Sequence, residues 1–265
     1  MSDPILAVRT LSYWYGTTQV LHDITFSVER GEMIGIIGPN GTGKSTLLRL
    51  FSGFLKPQNG SIELLGRSLD EYGKRELARH VATMPQGIEM SFPFTVEEFL
   101  LMARYPHYDG RFSYEKEEKL KVREFMASTD IGDLSGRTVT TLSEGERQKV
   151  YLAQCIVQET EVLLLDEPVS HLDIRHQLRS LEALEDLHNR GLTILMVLHD
   201  LNLASEFCSR ILFLAKGRVF ADGAPHDTLT YKTIEEAYGA VVIVKENPVS
   251  GKPFILPVSK KYLKK

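Results

Sequence analysis

The residues with the clearest chemistry in this sequence form a glycine-rich run that ends in a lysine and two hydroxyl side chains. The run fits the pattern G-x-x-x-x-G-K-[ST] and consists of Gly38, Pro39, Asn40, Gly41, Thr42, Gly43, Lys44, Ser45 and Thr46. Its glycines would let the backbone wrap around an anion, and a helix that starts there adds about half a positive charge. Lys44 is then placed to reach the β and γ phosphates of a nucleotide, and Ser45 to put its hydroxyl on Mg²⁺. The run therefore predicts a nucleotide phosphate site.

The elements on either side of this run favour a phosphate site over an ordinary glycine-rich turn with a capping serine. Residues 33–37 form a continuous apolar run of strand length, and residues 45–51 have a helix-like pattern. A strand, a loop and a helix in this order are the context that a phosphate loop requires. We therefore expect a buried strand to present the loop at the edge of a sheet.

Two adjacent carboxylates, Asp166 and Glu167, follow another apolar run at residues 162–165. Open α/β sheets bind ligands at the carboxyl ends of their strands, so these acids should lie beside the phosphate loop. Asp166 is placed to hold Mg²⁺, and Glu167 to polarise a water for in-line attack on the γ phosphate. An acidic pair after a strand could by itself equally be the start of a solvated loop. Together with the phosphate loop, the pair predicts nucleotide hydrolysis.

The apolar runs at residues 162–165 and 193–198 predict further strands of the same sheet. Each follows a helical segment, at about residues 144–158 and 174–189 respectively. Strands that alternate with helices are typical of parallel sheets. The core is therefore predicted to be a doubly wound α/β sheet.

The segments outside this core have different patterns. Residues 5–30 alternate apolar and polar positions, which predicts a small layer of antiparallel strands. Residues 87–140 lack a strong strand pattern and predict a helical insertion with a charged, solvated helix. Residues 211–221 resume strand character, and residues 240–258 are typical of a β hairpin.

The composition is that of an ordinary folded protein. Of 265 residues, 43% are hydrophobic and 25% charged, which disfavours long disorder and coiled-coil rods. The net charge of −4 provides no overall field to attract nucleic acid, so we expect local recognition sites. The apolar runs are far shorter than the roughly 18 to 20 residues that span a bilayer, and no secretory signal is visible. Cys155 and Cys208 lack metal-ligand spacing and are expected to be buried free thiols in a reducing cytoplasm.

One heptapeptide narrows the class, because a phosphate loop alone is compatible with kinases, GTPases, helicases and transport ATPases. Leu142-Ser143-Glu144-Gly145-Glu146-Arg147-Gln148 resembles the LSGGQ signature of ABC ATPases and lies just before the acidic strand, as in that family. Further residues fall in the family's order: Tyr15 resembles the A-loop aromatic, Gln86 the Q-loop, residues 170–173 the D-loop and His199 the switch histidine. The chain is therefore identified as a member of this family over roughly residues 5–240.

The resemblance implies a fold and a division of the chain. The fold is a P-loop NTPase (RecA-like) core with an N-terminal antiparallel β subdomain and an inserted α-helical signature subdomain at about residues 87–158. The ATP-binding domain would span residues 5–240. Residues 241–265 would form a C-terminal hairpin and a basic tail.

The resemblance also implies ATP and Mg²⁺ as cofactors and assigns roles in binding them. Tyr15 would stack on adenine, a contact that is indifferent to base identity. His199 would contact the γ phosphate and orient Glu167 and the attacking water, while Asp173 belongs to the D-loop. The ligands of Mg²⁺ would be Ser45, Gln86 and Asp166. A lone tyrosine or histidine is usually a packed side chain, and only the ordered occurrence of these motifs favours the functional roles.

In this family the signature helix faces the ATP of the opposite subunit, which implies a homodimer with Ser143 and Gly145 acting in trans. Ser143 and Glu146 also fit a capping box, and both interpretations can hold together. Glu144 and Glu146 depart from the family's glycine and glutamine. Acids near phosphate are unfavourable unless their side chains turn away, so these departures concern the turnover rate and not the family assignment.

Three stretches resemble the subgroup that energises import of iron chelates, haem and cobalamin, namely residues 95–107, 170–177 and 199–204. The resemblance implies a peripheral subunit at the cytoplasmic face of the membrane, an integral-membrane permease that docks near Gln86, and an extracytoplasmic substrate-binding protein. It implies no nucleic acid partner. An apolar cluster is expected either to line the docking groove or to belong to the core of the insertion; its members are Met90, Phe92, Phe94 and Val96.

Other functions remain open at this point. The chain could be an ABC ATPase for a different cargo or for export. A soluble ABC protein acting in translation or DNA repair would typically have paired cassettes or a long coiled-coil insertion, neither of which the sequence shows. A regulator that binds nucleotide without hydrolysing it is disfavoured by Glu167 and His199.

Overall fold

The computed structural model describes residues 3–85, 87, 92–108, 112–129, 131–170, 172–259 and 261. The strands are β1 (Leu6–Tyr15), β2 (Thr18–Val28), β3 (Met33–Ile37), β4 (Asn59–Leu64), β5 (Arg67–Ser68), β6 (Val81–Met84), β7 (Val162–Asp166), β8 (Thr193–Val197), β9 (Arg210–Ala215), β10 (Arg218–Gly223), β11 (Val242–Glu246) and β12 (Pro253–Pro257). The helices are α1 (Lys44–Phe51), α2 (Lys74–His80), α3 (Val96–Met102), α4 (Phe112–Ala127), α5 (Glu144–Val157), α6 (Ile174–Asn189), α7 (Leu201–Phe207), α8 (Pro225–Thr228) and α9 (Tyr231–Tyr238).

The central sheet has the strand order β10-β9-β3-β8-β7-β6. Neighbouring strands from β9 to β6 pair in parallel, while β10 returns antiparallel to β9. Every residue of β3, β7 and β8 is buried, which explains why these strands are continuous apolar runs in the sequence. The predicted parallel α/β core is confirmed. The sequence did not predict β6, because four residues are too few for a distinct pattern.

The N-terminal strands form a second, antiparallel sheet in the order β2-β1-β4-β5. Its apolar face packs on α1, where the rings of Phe26 and Phe51 meet edge to face at 5.8 Å. The predicted β layer is confirmed. The structure adds β4 and β5, which the sequence obscures because β4 begins with the turn formers Asn59 and Gly60.

The segment between β6 and β7 is helical and contains α3, α4 and α5, as predicted for the insertion. Phe99 of α3 packs edge to face on Tyr151 of α5, with ring centroids 5.6 Å apart. Val96 is fully buried in this core, so of the two alternatives for it the insertion core is confirmed and the docking groove is wrong. Arg104 and Glu118 form a buried ion pair between the end of α3 and α4.

The C-terminal hairpin joins β11 to β12 in antiparallel register, as predicted. The side-chain amide of Asn202 fastens it to α7: Nδ2 donates to the Ile255 carbonyl at 3.3 Å, and Oδ1 accepts from the Ile255 amide at 2.7 Å. Cys155 and Cys208 are buried free thiols, and burial raises the pKa of each to about 12. Within the described ranges, no helix combines the length and apolar character needed to cross a bilayer.

Candidate active site at the carboxyl edge of the sheet

The phosphate loop connects the end of β3 to the start of α1. Gly38 has a φ of 143°, and a Cβ added there would meet the Leu214 carbonyl oxygen at 1.9 Å. Gly43, the N-cap of α1, has a φ of 94°, and its Cβ would meet Leu21 at 2.5 Å. Both positions therefore require glycine, because residues of neighbouring strands lie where a side chain would be.

Lys44 directs its ammonium group into this loop. The side chain is buried, and Nζ donates to the Gly38 carbonyl at 2.8 Å and to the Pro39 carbonyl at 2.9 Å. Burial lowers the pKa of Lys44, while the nearby carboxylates of Glu167 and Asp166 oppose that shift. The loop thus holds a cation where the phosphates of a nucleotide are expected.

Asp166 is the last residue of β7 and is only 5% exposed. Its Oδ1 makes no hydrogen bond within the part of the chain that the structure describes. Burial raises the pKa of Asp166, and a hydrogen bond with the Ser45 side chain opposes that rise. A buried carboxylate oxygen without a partner is costly, so this oxygen is suited to a cation ligand. The hydroxyl and the carboxylate together are hard oxygen donors of the kind that Mg²⁺ prefers.

Glu167 leaves the strand direction immediately after β7. Its φ is 56°, in the left-handed region, and its amide donates to the Val197 carbonyl at 3.2 Å. Its Oε1 lies 2.5 Å from Nε2 of His199, which follows β8 closely. Because β7 and β8 are adjacent, the two side chains predicted to work together meet at one edge of the sheet.

A cavity of about 550 Å³ joins these groups to the predicted A-loop. Its walls are Tyr15, Val20, Asn40, Gly41, Gly43, Lys44, Ser45, Thr46, Glu167 and His199. The Tyr15 ring packs edge to face on Tyr13, with centroids 5.0 Å apart, and remains 44% exposed. A cavity of about 780 Å³ lies at the opposite edge of the sheet and contains none of these residues, so volume alone does not locate the chemistry.

Ser143 is the N-cap of α5 and forms the predicted capping box with Glu146. The Ser143 hydroxyl accepts from the Glu146 amide at 3.3 Å, and the Glu146 carboxylate accepts from the Ser143 amide at 2.8 Å. The Glu146 carboxylate accepts hydrogen bonds from the Ser143 amide and from the Ser143 hydroxyl, each at 2.8 Å, and these bonds lower its pKa, as does Arg137 at 2.7 Å. Glu146 is thus held against its own helix end. Neither Ser143 nor Gly145 contributes to the wall of the 550 Å³ cavity of its own chain.

Asp173 caps α6 in the same manner. Its carboxylate accepts from the His176 amide at 2.9 Å and lies 2.9 Å from the His176 ring nitrogen. These hydrogen bonds lower the pKa of Asp173. Asp173 is exposed and therefore open to a partner. Gln86 and Met90 lie outside the described residues.

The structure reveals three glutamines that the sequence did not single out. Gln58 pairs with the backbone of Trp14, beside Tyr15, accepting from its amide at 2.5 Å and donating to its carbonyl at 3.2 Å. Gln148 and Gln177 donate to carbonyls of the turn that follows β7. Gln148 and Gln177 lie inside the signature heptapeptide and the 170–177 stretch, but those motifs do not indicate these hydrogen bonds, because the partners lie on other elements.

Comparison with known proteins agrees with this geometry. Residues 21–170 match the ABC transporter family. The chain is 38% identical over 263 residues to the ferric enterobactin transport ATP-binding protein FepC of Escherichia coli K12, a match that covers 98% of this chain and 97% of FepC. It is 39% identical over 257 residues to the hemin import ATP-binding protein HmuV of Pseudomonas putida, covering 95% and 99% of the two chains.

A solved structure described as a metal-chelate type ABC transporter in an inward-facing conformation superposes with a TM-score of 0.83. The alignment has 25% sequence identity and covers 98% of this chain and 100% of that chain. The predictions of family and fold class are therefore confirmed. The chain belongs to the ABC transporter family, as one of its ATP-hydrolysing subunits.

Proposed function

We propose that the chain energises import of an iron chelate, haem or cobalamin by binding and hydrolysing MgATP as a pair of identical subunits. The contact of Glu167 with His199 beside the phosphate loop carries the hydrolytic part of the proposal. The cargo class is supported by the names of FepC and HmuV, which give ferric enterobactin and hemin.

ATP is proposed to bind in the 550 Å³ cavity. Tyr15 stacks on the adenine, and the loop from Gly38 to Thr46 surrounds the phosphates with backbone N–H groups. Lys44 exchanges its bonds to the Gly38 and Pro39 carbonyls for phosphate oxygens. The buried ammonium group of Lys44 therefore has hydrogen-bond acceptors both before and after ATP binds.

Ser45, Gln86 and Asp166 are the proposed ligands of Mg²⁺. Two of the three are supported by the structure: Oδ1 of Asp166 is buried with no partner among the described residues, and the Asp166 carboxyl group has a hydrogen bond with the Ser45 side chain. When bound, the ion neutralises charge on the β and γ phosphate oxygens. The protein's own contribution is to fix those oxygen ligands on rigid elements, the end of β7 and the first turn of α1.

Glu167 is the proposed general base. It accepts a proton from the water whose oxygen attacks the γ phosphorus in line, while the bond from that phosphorus to the β–γ bridging oxygen breaks and ADP leaves. His199 Nε2 holds Glu167 Oε1 at 2.5 Å, so the histidine orients the carboxylate and contacts the γ phosphate. Glu167 is 14% exposed in its side chain and His199 46%, so both can be reached from the cavity.

Two copies are needed because Ser143 and Gly145 lie outside the cavity that the chain forms by itself. In the proposed dimer the N-terminus of α5 faces the partner's ATP, where its dipole and free N–H groups favour the γ phosphate. Asp173 faces the partner at the start of α6. The Glu146 carboxylate, tied to Ser143 and Arg137, is turned toward its own cap, which supports tolerance of an acid in the signature.

A permease is proposed to dock beside Gln86 through a short cytoplasmic helix. Phe92 is 66% exposed, and its ring lies 6.0 Å from that of half-buried Phe94. Exposed aromatic rings are typical of the centre of a protein interface. Phe92→Asp should uncouple transport while leaving basal ATP hydrolysis intact. Loss of both activities together would contradict this docking surface.

The remaining parts of the proposal concern the assembled system. The ATP-binding domain spans residues 5–240, followed by the hairpin and tail of residues 241–265. The subunit sits peripherally at the cytoplasmic face of the membrane, and an extracytoplasmic protein delivers the cargo to the permease.

Uptake measurements in proteoliposomes test the proposal. The chain, its permease and its binding protein are reconstituted with ATP inside, and uptake of ferric siderophore, haem and cobalamin is compared. ATP-dependent uptake of one of these cargoes is the expected result. ATP hydrolysis without uptake of any of them, or efflux instead of uptake, would contradict the cargo and direction while leaving the hydrolytic assignment in place.

A further inference from the structure

The turn that follows β7 accepts hydrogen bonds from two side-chain amides that belong to other elements. We define the catalytic turn as residues 167–170, which begins with Glu167. Gln148 Nε2 donates to the Glu167 carbonyl at 3.2 Å and to the Pro168 carbonyl at 2.8 Å. Gln177 Nε2 donates to the Val169 carbonyl at 3.2 Å. Three successive carbonyl oxygens of the catalytic turn therefore accept hydrogen bonds from glutamines on other elements.

The catalytic turn needs such support because its first residue is not in a relaxed conformation. Glu167 has a φ of 56°, which is unfavourable for any residue with a side chain and persists only where surrounding contacts enforce it. Within the turn, Ser170 contributes bonds to the Glu167 carbonyl from its amide at 3.2 Å and from Oγ at 3.0 Å. The direction of the Glu167 carboxylate is set by this backbone, so whatever moves the turn moves the proposed base.

The two glutamines come from the two helices whose first residues are proposed to meet the partner chain. Gln148 lies on α5, five positions after its cap Ser143, and Gln177 lies on α6, four positions after its cap Asp173. Both α5 and α6 are continuous hydrogen-bonded helices. A displacement of the first residues of either helix is therefore transmitted over one turn with little bending. A shift of either helix end is therefore passed to the catalytic turn.

We propose that Gln148 and Gln177 are positioning residues that couple the approach of the partner chain to the placement of the Glu167 carboxylate. The idea rests on the proposed dimer and goes beyond it. The helix that contacts the partner's ATP also sets the base in its own chain's site. The carboxylate of each chain is then placed by the approach of the partner chain to the starts of α5 and α6.

Substituting methionine for each glutamine tests the coupling, because methionine keeps the length and helix propensity of glutamine but has no amide donor. For Gln148→Met and Gln177→Met, kcat for ATP hydrolysis should fall about 10- to 100-fold, as expected for a misplaced catalytic group. The KM for ATP should stay within about twofold. The control is Lys149→Met: Lys149 lies on the same helix but lines a different cavity, so this variant should hydrolyse ATP at the normal rate. An unchanged kcat, or a raised KM with normal kcat, would overturn the proposal.

A double-mutant comparison separates positioning from general damage. In a Glu167→Gln background, single-turnover hydrolysis should fall no further on adding Gln148→Met, since the amide acts through the carboxylate that is already absent. A full multiplicative loss would assign Gln148 a merely structural role and overturn the proposal. If Gln148→Met fails to fold, Gln177→Met provides the same comparison through one bond instead of two. If the unmodified chain itself hydrolyses no ATP with its permease, the proposed function fails and not this coupling.

Discussion

The carboxylate of Glu167 and the imidazole of His199 lie 2.5 Å apart although 32 residues separate them in the sequence. Their contact follows from strand order: β7 and β8 are neighbours, and Asp166 stands opposite Val197 in the parallel register. The residues just beyond two adjacent parallel strands necessarily emerge at the same edge. The phosphate loop emerges after β3, on the other side of β8, and so faces both side chains.

Replacing His199 by asparagine should reduce kcat for ATP hydrolysis by about 100-fold, because Glu167 loses the group that orients it. ATP binding should persist, since the phosphate loop is unaffected. Steady-state hydrolysis and nucleotide titration measure the two effects. The matched control is His226→Asn, which should hydrolyse ATP normally. The His226 ring is hydrogen-bonded to the carbonyl of Gly251, in the C-terminal hairpin.

Gly145→Ala should abolish hydrolysis without unfolding the chain. Among the residues that the structure describes, a Cβ at Gly145 would meet Leu172 alone, at an ordinary contact distance of 3.5 Å, so there is room for it. The added methyl group should instead disturb the contact of α5 with the ATP bound to the partner chain. Thermal unfolding should therefore match that of the unmodified chain, while ATP hydrolysis is lost.

Mixing subunits tests whether Gly145 acts in trans. A dimer of one Gly145→Ala chain and one Lys44→Ala chain contains one site with an intact phosphate loop and an intact signature, provided that the signature serves the opposite chain. Activity in the mixture, with none from either variant alone, is the expected result. Continued inactivity in a verified mixed dimer would place Gly145 in its own chain's site.

The buried ion pair of Arg104 and Glu118 should make a measurable contribution to stability. Arg104→Met leaves the Glu118 carboxylate buried and removes a 2.6 Å bond to the Val157 carbonyl, so it should cost about 3 kcal/mol in urea unfolding. The double change Arg104→Met with Glu118→Leu should recover much of this loss, since the charges that lose their partners, Glu159 and Lys121, are exposed to solvent. A double variant that is as unstable as the single one would contradict this account.

The same pair should make stability depend on pH in the acid range. Burial by itself would raise the pKa of Glu118, but hydrogen bonds from Arg104 and Lys121 outweigh it and hold the pKa below its usual 4.5. A carboxyl with a lowered pKa stabilises the fold above its unfolded pKa, and this stabilisation disappears as the pH falls through the folded value. The free energy of unfolding should therefore decline below about pH 4.5 more steeply in the unmodified chain than in Glu118→Gln. Parallel pH profiles for the two proteins would contradict the assignment.

The sequence predicted the phosphate loop, the acidic strand end and His199 because each follows a buried apolar run, and buried parallel strands leave a strong pattern. It did not predict β6, and it left open whether Val96 belongs to the core or to a docking groove, because short segments leave no such pattern. Glu146 shows a different limit. As an acid in the signature it looked unfavourable near phosphate, yet the structure uses its carboxylate in the cap of α5 and in an ion pair with Arg137.

Hydrogen bonds between side-chain amides and distant backbone groups could also not be predicted from the sequence. Gln148 and Gln58 have partners 19 and 44 residues away, respectively, and nothing in their local pattern indicates them. Such contacts depend on how helices and loops pack, which periodicity and motif spacing do not determine.

The central claim, that Glu167 is the base for ATP hydrolysis, is tested most directly by the turnover of Glu167→Gln. The variant keeps the size of the side chain but cannot accept the proton, so hydrolysis should fall by roughly 100-fold or more while an ATP-bound dimer accumulates. Size-exclusion chromatography with ATP and Mg²⁺ would detect that dimer. Turnover equal to that of the unmodified chain would contradict the account.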